Sequence, residues 1–249
     1  MAFRSQKTIG ALVILLVCVS LANGEQITIP VRHRHLRQGT MGEIRVGESA
    51  ISFQEGGKKP KHSREWAYED IQQLLIAADS LRILTYEDVD WQLGRDRRYE
   101  FDQLPEGAAQ KVLDAIRGHI DERRLVAALP DHSIIPLWQV KAKLVDGRGG
   151  SEGIVLVGVD SIVYNSEERN ASRTWHFAQI ENISSSGPFD LTITTFERDG
   201  SRFADRRDFR FQLKTELLEE RYNTLWRRLS KSRLTHSLMS TEVKEKPNE

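Results

Sequence analysis

Residues Gly149-Gly-Ser-Glu-Gly153 satisfy the Gly-x-Ser-x-Gly pattern of a hydrolase nucleophile elbow, with Ser151 in the nucleophile position. That elbow needs a strand before it and a helix after it. Here Ile154-Val-Leu-Val-Gly-Val159 follows, which has strand character, and no His and acid can be assigned to Ser151 by spacing. The glycines therefore read as a turn between strands, and a serine hydrolase is only a remote alternative. His33 and His35 offer a second chemistry. If 31–37 is a strand, side chains at i and i+2 share a face, and two imidazoles so placed can begin a metal site. No third ligand is identifiable from the sequence. The expectation is a solvated strand face, with no metal and no cofactor.

Lys58, Lys59, Lys61, His62 and Arg64 form the most basic short cluster outside the leader. With Arg34 and Arg37 from the preceding stretch, they are the candidate site for a phosphate or an anionic lipid head group. The competing expectation is an ordinary solvated loop. The repeated Ser63-Arg-Glu-Trp66 and Ser172-Arg-Thr-Trp175 place Arg and Trp on one strand face, where stacking contributes about 0.5–1 kcal/mol if exposed. Because both occurrences keep the pair, Trp66 and Trp175 are expected to serve the fold. Asn170-Ala-Ser172 and Asn182-Ile-Ser184 are glycosylation sequons, unused in a bacterial host.

These residues must be positioned by a chain of 249 residues with 36 Lys plus Arg against 36 Asp plus Glu, so bulk charge implies no nucleic-acid partner. Arg4 and Lys7 precede the apolar run Ile9 to Leu21, and small residues Ala22 and Gly24 sit before Glu25. Residues 1–24 therefore read as a signal peptide, with an uncleaved membrane anchor as the alternative. The protein is then exported, periplasmic or secreted. Cys18, the only cysteine, leaves with the leader, and the mature chain has neither disulfide nor thiolate nucleophile.

Self-comparison at an offset of about 110 residues gives the strongest signal. Gly42 to Phe53 lies over Gly153 to Tyr164, sharing Gly42/Gly153, Val46/Val157, Gly47/Gly158 and Ile51/Ile162. The Ser-Arg-x-Trp pairs follow, then Ile71/Ile180, the strand-like runs Leu81–Glu87 and Leu191–Glu197, and Tyr99/Phe101 over Phe209/Phe211. Each half closes with a helix-period segment. In the first, Ala109, Val112, Leu113, Ile116 and Ile120 form an apolar stripe; in the second, Leu218, Tyr222, Leu225 and Leu229 do, with Trp226 beside them. Short alternating runs separated by Gly, Asp, Asn and Ser predict successive antiparallel strands, with tight hairpins at Gly47 and Gly158. The predicted class is mainly β with capping helices.

Six or seven short strands followed by one amphipathic helix, written twice, resemble the pleckstrin-homology-like fold and its tandem bacterial members. The resemblance covers residues 28–233 and includes a tryptophan in the second closing helix, Trp226. It implies two strongly bent antiparallel sheets, or partly open barrels, at 28–124 and 137–233, each closed by its helix. A packed connector would occupy 125–136 and a disordered tail 234–249. The function expected on this basis is non-enzymatic binding or scaffolding toward a protein or peptide partner. Weak contact with an anionic membrane surface through the basic loop is the alternative.

Overall fold

In a half-buried strand alternate side chains face the core, and residues Asp190–Arg198 keep that period without a break: Leu191, Ile193, Thr195 and Glu197 are buried and their neighbours are not. Fifteen strands and two α-helices make up the described part of the computed structural model, residues 26–35, 39–57, 60–90, 92–146, 149–168, 170–198 and 206–244. The leader with Cys18, and Arg37, Lys58 and Lys59, lie outside the described residues.

The first seven strands are β1 (Ile27–His33), β2 (Thr40–Val46), β3 (Ala50–Glu55), β4 (Arg64–Ala67), β5 (Ile71–Ala77), β6 (Ser80–Val89) and β7 (Gln92–Asp102). Helix α1 (Ala108–Ile116) follows them, and then a short strand, β8 (Leu125–Ala128). The remaining strands are β9 (Trp138–Asp146), β10 (Gly149–Val157), β11 (Ser161–Ser166), β12 (Arg173–His176), β13 (Ile180–Ser184), β14 (Asp190–Arg198) and β15 (Arg206–Leu213), and the chain then enters α2 (Glu219–Lys244).

The fold is mainly β, as the strand periodicity predicts. All fifteen strands share one open sheet in the order β13-β14-β15-β9-β10-β11-β12-β8-β5-β6-β7-β1-β2-β3-β4. Each set of seven therefore has the same internal order, and β8 joins one set to the other. Buried apolar side chains nevertheless gather in two clusters, one drawn from residues 29–129 and one from 140–229. The hairpin at Gly47 is closed by its N–H donating to the Ala50 carbonyl at 3.0 Å, and that at Gly158 by its N–H donating to the Ser161 carbonyl at 2.8 Å.

The first four residues of the expected packed connector, 125–128, form a strand buried along its whole length. Three expectations need correction. In the second closing segment Leu218 is half exposed and Leu217 is buried in its place. The Leu217 N–H donates to the Pro188 carbonyl at 2.7 Å, which fixes the approach to a helix that starts only at Glu219. Trp226 is likewise 50% exposed, since a residue next to buried Leu225 is turned about 100° away from it on a helix. Finally, α2 continues to Lys244, beyond Leu234 where an unordered tail is expected.

The matched glycines have a steric reason. A Cβ on Gly42 would stand 2.4 Å from the Gln54 carbonyl and 2.6 Å from the Phe53 ring; on Gly153 it would stand 2.4 Å from the Asn165 carbonyl and 2.8 Å from the Tyr164 ring. Each glycine lets the aromatic of the next strand lie across it. Gly153→Ala should therefore cost about 1–3 kcal/mol in urea denaturation. Gly47→Ala, whose Cβ would meet only Ala50 at 3.5 Å, should change stability by less than about 0.5 kcal/mol.

Candidate functional site

Backbone amides at a buried strand edge need partners, and β8 supplies them to two edges at once. It runs parallel to β5, with Leu74 opposite Leu125 and Ala77 opposite Ala128, and bridges antiparallel to β12 at Thr174 and Ala127. Side chains of the second half complete the grip. Gln179 Nε2 donates to the Leu125 carbonyl at 2.8 Å, and Thr174 Oγ1 donates to the Leu129 carbonyl at 2.9 Å. From the other side Arg124 donates to the Ile71 carbonyl at 3.3 Å, and Arg198 pairs with Asp96 across the junction at 2.8 Å. A shallow hollow beside β8 is lined by Arg123, Leu125, Val126, Ala127, Gln179 and Glu197.

The two free ends of the sheet differ. At β4 the residues matching Thr174 and Gln179 are Glu65 and Asp70, both exposed. Carboxylates only accept hydrogen bonds, so they cannot hold an added strand by its carbonyls as Gln179 holds β8. At β13, the counterpart of β5, no strand among the described residues lies on the outer side. The Ile183 carbonyl, which matches Leu74 of β5, accepts from the Tyr222 hydroxyl of α2 at 3.3 Å, and Ile180 accepts from Arg233 at 3.3 Å, as Ile71 does from Arg124.

The Ser-Arg-x-Trp repeat works differently from the expectation. Neither arginine stacks on its tryptophan. Arg64 lies over Tyr99 at 5.2 Å and Arg173 over Phe209 at 5.0 Å, and these rings in turn pack on Trp66 and Trp175, each at 4.8 Å. Both tryptophans are buried. Each arginine also pairs with the glutamate that ends the matched strand run, Arg64 with Glu87 and Arg173 with Glu197. In the first half this pair is partly exposed. In the second, Glu197 is 3% exposed and accepts from both Arg173 (2.9 Å) and Arg207 (2.7 Å), against the junction residues Arg123, Leu125 and Ala127.

Two described arginines of the basic cluster are drawn into local ion pairs, and Lys61 is tied down through its backbone alone. Arg64 is held by Glu87, Arg34 lies 3.5 Å from Glu100 and 3.7 Å from Asp102, and the backbone N–H of Lys61 donates to the Glu55 carboxylate. Asp102 is held below the usual carboxylate range by its hydrogen bond with Arg32, a bidentate pair with both contacts at 2.8 Å. Ser151 is not in a turn but in β10, buried, its Oγ 3.1 Å from the Tyr164 hydroxyl, which donates to the Ser151 carbonyl at 2.5 Å. The glycines before it answer to backbone geometry: Gly149 and Gly150 have φ of 146° and 150°, and a Cβ on Gly150 would stand 2.2 Å from the Leu144 carbonyl.

His33 is not on a solvated face. It is 8% exposed, opposite Phe101 in the β1–β7 ladder, with its ring stacked on Phe101 at 4.9 Å. His35 lies 4.2 Å from it, and a third imidazole that the sequence did not reveal, His62 of the β3–β4 loop, lies 4.4 Å from His35 and 6.4 Å from His33. Glu55 anchors that loop by accepting the His62 backbone N–H at 2.7 Å, and its own pKa is lowered by the His62 and Lys61 amides. Burial, with the neighbouring His35 and His62, pushes His33 down to about 4, so it is neutral at physiological pH. Its Nδ1 is buried without a hydrogen-bond partner, an arrangement that costs about 1–3 kcal/mol.

No protein-family model matches the sequence, and no curated protein matches it. Among solved structures, the chain is similar to the C-terminal domain of an unknown protein from Leishmania infantum, at 15% identity and a TM-score of 0.29, covering 38% of this chain and 84% of that one. It is also similar to a structure described as the Spt16D Pob3N heterodimer, at 10% identity and a TM-score of 0.31, covering 78% and 99%. No helix among the described residues is long and apolar enough to cross a membrane.

The unequal burial of the matched ion pairs makes a direct prediction. Glu197→Ala leaves two guanidinium groups facing each other, one of them deeply buried, and should lower stability by about 3–5 kcal/mol in urea denaturation. Glu87→Ala, at the exposed equivalent, should cost less than about 1 kcal/mol. Equal costs would contradict the burial that β8 imposes on the second half.

Proposed function

We propose that this chain is an exported, non-enzymatic interaction protein of two pleckstrin-homology-like modules, and that the outer edge of β13 receives an extended segment of a partner protein as an added strand. The modular reading is supported by the identical strand order in the two halves, the closing helix after each, and the two buried clusters. The binding reading is carried by one observation: β5 already holds such a segment, β8, while its counterpart β13 holds none among the described residues. Strand addition draws its affinity from backbone hydrogen bonds and its selectivity from alternate side chains. Ile180 and Ile183 on β13 are buried and Glu181 and Asn182 between them are more open, so the fitting segment sets small apolar residues beside Ile180 and Ile183, as β8 sets Leu125 to Ala128 beside β5. The membrane-surface alternative draws less support, because Arg34 and Arg64 are engaged by carboxylates.

The test is a heteronuclear NMR titration of the full-length chain with a soluble peptide bearing the sequence of residues 125–129. Backbone amides of β13 should shift saturably, and a peptide with proline at alternate positions should leave them unmoved. Tyr222→Phe, which frees the Ile183 carbonyl, should tighten binding about 2–10-fold. Absence of any β13 shift at millimolar peptide would refute the edge as a binding site.

A further inference from the structure

The repeat supplies an internal reference for the histidine cluster. Leu144 faces Phe211 in the β9–β15 ladder as His33 faces Phe101, and Ala171 precedes Ser172 as His62 precedes Ser63. Where the fold needs only filled space, the second half uses aliphatic side chains. The first half places imidazoles at both positions, adds His35, and leaves the Nδ1 of buried His33 without a partner. A neutral imidazole presents a lone pair, and three of them from two chain segments are the donor set that first-row divalent ions of intermediate softness prefer.

We propose that His33, His35 and His62 bind one divalent metal ion of the imidazole-preferring class, Zn²⁺ or Cu²⁺, with Glu55 positioning the His62 loop as an outer-shell carboxylate. With metal–nitrogen bonds near 2.0–2.1 Å, the centre of a ligating ring stands about 3.2 Å from the ion, so two rings at a tetrahedral angle lie about 5.2 Å apart and two at a right angle about 4.5 Å. The His33–His35 and His35–His62 separations of 4.2 and 4.4 Å lie close to that range, and the His33–His62 separation of 6.4 Å must shorten by about 1 Å to meet a tetrahedral ion. As they stand, no three His, Cys, Asp or Glu side chains among the described residues are arranged to hold an ion. His35 and His62 are exposed, so closing the site takes rotation of those two rings about their side-chain torsions, with His33 as the fixed ligand in the sheet. Glu55 secures the backbone on which His62 turns, through the amide hydrogen bonds at Lys61 and His62.

The experiment is isothermal titration calorimetry of the untagged full-length chain with ZnCl₂ and with CuCl₂, joined to electron paramagnetic resonance of the copper form. One saturable equivalent should bind, with nitrogen hyperfine structure on copper, and His35→Ala and His62→Ala should each weaken binding at least about tenfold. His33→Leu, which installs the residue used by the second half, should abolish binding and leave the metal-free thermal midpoint equal or higher. The exposed His62→Ala carries the test on its own if His33→Leu fails to fold. No saturable equivalent in the parent chain would overturn the proposal. So would undiminished binding in the His35→Ala, His62→Ala double variant, or a copper spectrum without nitrogen coupling, each of which indicates an adventitious ion only. These readouts are independent of the β13 edge.

Discussion

The parallel pairing of β8 with β5 is the contact on which the arrangement of the molecule depends. A four-residue strand buried on all sides has no access to water, so its amides and carbonyls must be satisfied by protein. The first half provides one ladder, and the second provides a bridge together with the side chains of Thr174 and Gln179. A chain that merely connected two modules would leave both edges to solvent. By entering the sheet, β8 turns two seven-stranded sets into one ladder and fixes their relative register, although their buried cores stay apart.

Divergence between the halves then has a physical pattern. Residues that shape each module by itself are kept: the glycines under Phe53 and Tyr164, the arginine over the β7 or β15 aromatic, and the glutamate that pairs with it. Residues that meet the junction are changed. Thr174 and Gln179 grip β8, whereas Glu65 and Asp70 at the matching positions face solvent and leave the β4 edge unsuited to another strand. The same glutamate–arginine pair is partly open in one half and deeply buried in the other because only the second is covered by β8 and its flanks.

Much of the ladder was legible in the sequence because period-two alternation and the Gly47 and Gly158 turns report local geometry directly. What was not legible depends on contacts between distant segments. Leu125-Val-Ala-Ala128 is too short and too uniformly apolar to show a period, so its place in the sheet is decided by the edges it fills. The expected stripe holds at Leu225 and Leu229 and departs only at its start, because Leu217 and Leu218 precede α2 and do not follow the helical period. Arg and Trp two apart share a face, but the aromatic that receives the cation comes from another strand. The histidine site showed only its local pair, since His62 is delivered by the loop that Glu55 ties down.

Native-state hydrogen exchange of the amides of Leu125, Val126, Ala127 and Ala128 tests the central role of β8 most directly. If the strand holds the two halves as one sheet, these amides exchange as slowly as those of β5 and β10, through global unfolding. Exchange as fast as that of an exposed loop such as 131–136, with β5 and β10 still protected, would show that β8 is a passive linker and would contradict the account.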